Sequence, residues 1–377
     1  MQSPVQVVML LRPKTRVDLL VAAAFSSLVF TATPFLLTAV SEDYDVSLGV
    51  ASLISTFQLG GFVVASWLVG RVLNPSRRLL VVAAVAAAVL NGLSAMTPWF
   101  SALLALRLLG GVSLAVITWL GWQEVFGDDD RMGDVAVVGP VMGIAGAPAA
   151  SLLADQVGAS AVFAMLAVLA LAPLAVPAPS ARLGSNAPDK ADRTKPIPVT
   201  RVILACLGLI TLGGSGVFVF AAAIGAEKVG LDPVVVSLAF SANAALGIPP
   251  ARYRGHRPLS GLWLLGTATM AVVVTNVTVG ALFWAAVAVW GFAFWAGVPG
   301  IFKLLAERSE NPADRAGDAQ SIMAAGRVGG PLLGALFIEK GSIETLGFVA
   351  AALIASAAIT LVVVELTVPP RSRAGQE

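Results

Sequence analysis

Two arginines stand inside otherwise apolar runs, Arg107 and Arg327. A charge at such depth is costly unless it is paired or faces a water-filled cavity, so each marks a place where a solute or ion could be handled. Arg107 has two open readings: its long stem snorkels to the nearer interface, or its guanidinium binds a solute or couples movements. Arg327 could take backbone carbonyls released at Pro331, a partner on the fifth span, or an anionic solute. A second group is aromatic: Phe283, Trp290 and Phe294 recur at spacings that share one helical face, with Trp284 and Trp295 on a neighbouring stripe. Such a row suits a flat or amphipathic organic molecule, and packing or lipid contact is its alternative. Three primary amides, Gln58, Asn243 and Gln320, must also find partners away from water. Carboxylates are missing from the middle of the apolar runs. Asp18, Glu124, Asp134, Asp318 and Glu365 sit near run ends, so proton handling falls to Asp18, Glu124 and Asp134. The single histidine, His256, lies in a basic loop, and the single cysteine, Cys206, reads as a small buried hydrophobe. No metal site, catalytic residue or cofactor motif emerges.

The elements that carry these residues are membrane spans. The 377 residues are 57% hydrophobic and only 12% charged, with a mean hydropathy of +0.87, against about 25% charged in soluble proteins. A net charge of +2 gives no reason to expect nucleic acid. A bilayer core requires about 20 apolar residues per helix. Twelve such segments are expected, near 18–40, 49–70, 79–97, 100–123, 134–154, 159–178, 202–224, 233–250, 260–278, 280–303, 318–338 and 345–367. The basic stretch of Arg12, Lys14 and Arg16 leads into the first span without a cleavage site, so that span is expected to be retained.

Basic residues test the topology, because cytoplasmic loops are enriched in Lys and Arg. With both termini inside, all but four of the 24 Lys and Arg residues fall on the cytoplasmic side. Lys228 and Lys340 fall outside, and Arg107 and Arg327 are within spans. The polar, proline-bearing stretch 179–200 reads as a cytoplasmic linker between an N-terminal six-helix bundle, 1–178, and a C-terminal one, 201–377. The halves echo each other. Glu42 and Glu227 precede helix starts capped by Ser47 and Asp232, Ser52-Leu53 recurs as Ser237-Leu238, and Val138 to Gly143 has a near copy in Val328 to Gly334. A Gly-Pro pair inside a helix is tolerated in a membrane bundle, where neighbouring helices satisfy the freed carbonyl and glycines let backbones approach.

These stretches resemble the major facilitator superfamily along essentially the whole chain. Gly139, Pro140 and Gly143 look like its antiporter motif, and Arg107-Leu-Leu-Gly110-Gly111 resembles its intramembrane arginine motif. Ser66 to Arg71 with Arg77-Arg78 is similar to a worn form of its loop signature, with Gly70 where the family carries an acid. Pro331 belongs to the second Gly-Pro copy. The resemblance implies an all-α membrane protein of twelve transmembrane helices in two pseudo-symmetric bundles. It implies a cavity lined by the first, fourth, seventh and tenth spans, to which Thr31, Gln58, Arg107, Trp119, Trp122, Gln123, Asn243, Trp290, Phe294 and Arg327 are assigned as solute-binding candidates. By overall pattern the chain resembles the compact bacterial drug and sugar efflux members. The expected function is alternating-access movement of a small, partly apolar organic solute by a monomer in the bacterial inner membrane, with H+ antiport as its coupled form. An uncoupled facilitator or importer stays open.

One other class competes. The run Asp128-Asp129-Asp130-Arg131 with Asp134 has the look of a Mg2+ pyrophosphate site in a membrane-embedded prenyl-transfer enzyme. A second aspartate cluster is missing, and a solvated acidic turn at a helix start accounts for the run more simply.

Overall fold

The computed structural model describes residues 15–125, 129–176, 195–253, 257–310, 312–340 and 342–370. Most of the expected linker, together with Asp128, Arg254 and His256, lies outside the described residues. Within them the chain is helical throughout. We number twelve main helices: α1 Val17–Asp43, α2 Leu53–Val72, α3 Arg77–Met96, α4 Phe100–Val125, α5 Asp129–Val157 and α6 Ala159–Leu169. Then follow α7 Pro198–Phe218, α8 Pro233–Arg252, α9 Ser260–Asn276, α10 Gly280–Glu307, α11 Pro312–Ile338 and α12 Ile343–Thr367. Among the described residues, ten helical segments are long and apolar enough to cross a membrane, and Ala159–Ala175 and Ser260–Asn276 are shorter apolar ones.

Local chemistry sets the boundaries. Ser47 and Asp232 are N-caps, accepting from the amides of Val50 at 3.3 Å and Val234 at 2.8 Å. Ser76 caps α3 in the same way through Leu79. Pro198 and Pro233 occupy the first helical position, where a missing N–H costs nothing. The sixth span is interrupted: α6 stops at Leu169, and a short turn, Ala172–Ala175, carries Pro173. The seventh runs on beyond its expected end through Ala221–Ala223 and a π-helical turn, Ile224–Lys228.

Packing repeats with a shift of six helices. Helix α1 lies on α5 as α7 lies on α11; α2 on α4 as α8 on α10; α3 on α4 and α6 as α9 on α10 and α12. Between the first six helices and the last six, α5 meets α8 and α2 meets α11, again as a symmetric pair. Close approach depends on glycine. A Cβ on Gly111 would run into the backbone of Gln58, and one on Gly291 into that of Asn243. Along α11, Gly326, Gly330 and Gly334 recur every fourth residue and press on α7 at Thr211, Ser215 and Gly216, with Phe220 just beyond its end.

The apolar core is asymmetric along the bundle axis. One cluster includes side chains of both sets of six helices and crosses between them near the end where α1 stops at Asp43. A second, built from Ile203, Leu207, Leu264, Ile301, Met323, Leu361 and neighbours, stays within α7 and α9–α12 at the opposite end, where α1 begins at Asp18.

Candidate functional site

Arg107 does not reach an interface. It is 2% exposed, and its guanidinium turns into the first six helices. Nη1 donates to Asn91 Oδ1 at 3.1 Å and Gln58 Oε1 at 3.3 Å, while Nη2 donates to Ser94 Oγ at 2.6 Å and the Leu90 carbonyl at 3.4 Å. The Phe163 ring covers the cation 4.6 Å from its centroid. Neutral acceptors and a ring face thus replace a carboxylate counter-ion. Beside it, Phe25, Gln58, Asn91 and Gly110 help line a cavity of about 10 Å³, space for roughly one water. A larger recess of about 200 Å³, opening near Asp43, Tyr44 and Thr97, shares Ser94 and Phe163 with this site. Sequence reasoning found Arg107 and Gln58 but missed Asn91, Ser94 and Phe163. Asn91 and Ser94, three residues apart in a helix otherwise rich in Ala, Val and Leu, were the available signal.

Arg327 is in the opposite situation. It is half-buried on α11 and has no hydrogen bond or ion pair to any described residue. Its place on the helix is informative. At about 100° per residue, Arg327 stands roughly opposite the exposed Ala325, Leu332 and Leu336, which form the outward face. Gln320, seven residues earlier, shares Arg327's stripe and is exposed although that stripe faces inward. The polar stripe of Gln320 and Arg327 is thus turned away from the outer face of α11.

The tenth-helix aromatics divide. Phe283 is fully buried against Gly225 of the π turn. Trp290, 6% exposed, meets Phe218 at 5.8 Å; Phe218 meets Phe240 at 5.0 Å; Phe240 meets Phe35 at 5.1 Å. This chain of rings joins α10, α7, α8 and α1 across the two sets of six helices. Phe294 is half-buried and borders both core clusters, with its ring 5.8 Å from that of Trp295. Phe35, Phe218 and Phe240 were not singled out from sequence, because each belongs to a different helix and no spacing links them.

The other candidates scatter over several environments. Thr31 and Leu28 of α1 lie against Gly146 of α5. Trp119, Trp122, Gln123 and Glu124 follow the last turns of α4, all half-buried, and the Gln123 side-chain oxygen has no hydrogen-bond partner among the described residues. Asn243 donates to the Val287 carbonyl at 2.6 Å, tying α8 to α10. Gly139 faces Ser27 of α1, the neighbouring Pro140 is buried, and a Cβ on Gly143 would stand 2.8 Å from Ala244 of α8. The first Gly-Pro copy therefore lies at the seam between the halves. The second, with Pro331 buried, presses on α7 within the last six helices.

At the other end, Asp18 is fully buried and pairs with Arg77 at 2.7 Å and Arg16 at 3.0 Å. Arg77 also donates to the carbonyls of Pro173 and Val176, so this knot ties α1, α3 and the end of the sixth span. Arg78 is exposed. Asp134 accepts from the amide and hydroxyl of Thr15, both at 3.3 Å. The side chains of Arg71, Asp129 and Asp130 lie outside the described residues. Among the described residues, no group of three His, Cys, Asp or Glu side chains could hold a metal ion.

Residues 19–329 match the Major Facilitator Superfamily. No curated protein matches the chain significantly. Among solved structures, the nucleoside transporter NupG, in a point-mutant form, is similar with a TM-score of 0.67 and 14% identity, covering 92% of this chain and 98% of its own. A bacterial homolog of the human lysosomal transporter Spinster, inward-facing and occupied, has a TM-score of 0.66 and 14% identity, covering 97% and 96%. The human organic anion transporter MFSD10 (TETRAN) has a TM-score of 0.64 and 16% identity, covering 96% and 100%. At these identities the likeness is one of fold.

Proposed function

The chain belongs to the major facilitator superfamily, and from that premise we propose that it carries a small, partly apolar organic solute across the cell membrane by alternating access. The halves that rock are 1–178 and 201–377, joined by the cytoplasmic linker 179–200. The observation that supports this reading is a set of contacts between the halves gathered toward one end. Toward the Asp43 end the halves are joined by the ring chain Phe35–Phe240–Phe218–Trp290 and by hydrogen bonds from Ser47 to Glu339, Ser151 to Pro233 and Ser241 to Ile144. Toward the Asp18 end the core of the last six helices is a separate cluster, with Gln320 exposed and Arg327 half-buried on the inward stripe of α11. Halves that are tied more closely at one end than at the other fit one half of a transport cycle. The solved neighbours are named for nucleosides, a lysosomal transporter and organic anions, so the shared fold does not choose the solute.

Efflux is the direction supported by resemblance of Gly139-Pro140-x-x-Gly143 to the antiporter motif. Proton antiport is its coupled form, with Asp18, Glu124 and Asp134 as the carboxylates available to it; the inner membrane of a bacterium is the setting this implies. The test is flux of amphipathic solutes in liposomes holding the purified protein. Trp290→Ala should lower flux while the protein still inserts; normal flux in this variant overturns the cavity assignment. Equal flux with and without an imposed pH gradient removes the antiporter and leaves a facilitator.

A further inference from the structure

We infer that the transported solute carries an anionic group and that Arg327 receives it, an assignment that rests on the transport reading above. The two intramembrane arginines make the contrast. Arg107 is engaged through both terminal nitrogens, with four acceptors and a ring face around it and only its Nε left without a described partner, as expected of a cation used to hold helices together. Among the described residues Arg327 has no such cage. A cation inside a membrane bundle that lacks both a carboxylate and neutral acceptors is stable only where water or a ligand solvates it.

Two structural roles for Arg327 do not fit. Pro331 cannot donate to the carbonyl four residues before it, and that carbonyl is Arg327's own. The Arg327 side chain forms no bond to it or to any other described acceptor. Lipid contact fails as well, because the outward face of α11 is the stripe of Leu332, 41% exposed, and Leu336, 59% exposed, on the far side of the helix. What remains is the inward stripe shared with Gln320. Along it, glycines at 326, 330 and 334 hold α11 close against α7, so the guanidinium is fixed on a packed helix rather than on a loop. A planar guanidinium whose donors meet no described acceptor matches a carboxylate, sulfonate or phosphate in a two-pronged contact. Since Arg107 is already caged, the site presents one positive charge, which selects a monoanion over a multiply charged solute.

The experiment uses the purified full-length protein and three probes with one aromatic body: 1-naphthoate, neutral 1-naphthamide and 1-naphthylmethylammonium. Equilibrium dialysis measures their binding to wild type and variants. Wild type should bind naphthoate about tenfold or more tighter than the amide, the size expected of a charge-assisted contact, and bind the cation most weakly. Arg327→Gln should abolish the preference and leave amide binding unchanged, while Arg327→Lys keeps part of it. If Arg327→Gln fails to fold, Gln320→Glu, which adds a negative charge to the same stripe, should weaken naphthoate binding and spare the amide. Absence of an anion preference in wild type, through equal binding or through none, overturns the assignment, and so does a preference that persists in Arg327→Gln. Flux without anion preference removes the anion alone, whereas anion preference without flux of any solute in liposomes removes the transport reading alone.

Discussion

Gln58 and Asn243 occupy equivalent points of the two halves and hold different partners. Each carries a backbone that packs against a glycine of the neighbouring helix, Gly111 for Gln58 and Gly291 for Asn243. Yet Gln58 accepts from Arg107 of α4, whereas Asn243 donates to the carbonyl of Val287 of α10. The repeat thus keeps the helix contact while changing its chemistry. One half closes over a buried cation at that place, and the other over an apolar residue.

The Arg107 cage should be measurable as stability. Asn91→Leu removes one acceptor from a buried cation and should cost about 1–3 kcal/mol. Asn243→Leu leaves one carbonyl short of a donor and should fall at the lower end. Cys206, the single cysteine and 4% exposed, reports unfolding when a thiol-reactive dye is present during heating. Equal melting of Asn91→Leu and wild type would show that Asn91 does not support Arg107.

The inward stripe of α11 can be mapped by access. In a Cys206→Ser background, Gln320→Cys should react with a charged, membrane-impermeant thiol reagent from the Asp18 end, and Leu332→Cys should not, since a thiol facing lipid stays protonated and unreactive. The reaction at Gln320→Cys should favour an anionic over a cationic reagent, and Arg327→Gln should shrink that ratio. Equal labelling of both positions would place Gln320 on the lipid face.

Asp18 offers a choice between structure and coupling. Its buried carboxylate holds Arg16 and Arg77 together, so Asp18→Asn should destabilise by about 3 kcal/mol, the range for breaking a buried pair. Flux that survives should keep its response to a pH gradient. A stable Asp18→Asn protein whose flux no longer senses the gradient would instead make Asp18 the proton carrier.

The seam between α5 and α8 is tight at Gly143. Gly143→Val adds bulk where Ala244 already stands 2.8 Å from the Cβ position, so closure toward the Asp43 end should be hindered. We expect flux to fall by about tenfold, a loss of roughly 1.4 kcal/mol in the closed state, with insertion intact. Gly92→Val, at a position with nothing within 4 Å, is the control. Similar flux in both variants would mean that this seam does not move.

The sequence by itself determined the helices and their number of apolar runs, because membrane burial forces each span to satisfy its own backbone and leaves an apolar stretch of fixed length. It also determined that two arginines needed an explanation, since a charge inside such a run stands out against its neighbours. Helix caps at Ser47 and Asp232 were legible for the same local reason. Partners were not. Whether an intramembrane arginine is caged or open depends on residues brought to it from other helices. Asn91, Ser94 and Phe163 reach Arg107 only through the packing of α3 and α6, and the Phe35–Phe240–Phe218–Trp290 chain draws on four helices. Spacing along one helix reports which residues share a face; only the tertiary structure decides what that face meets. Here it turned two similar arginines into a buried clasp at Arg107 and a half-buried cation without a described partner at Arg327.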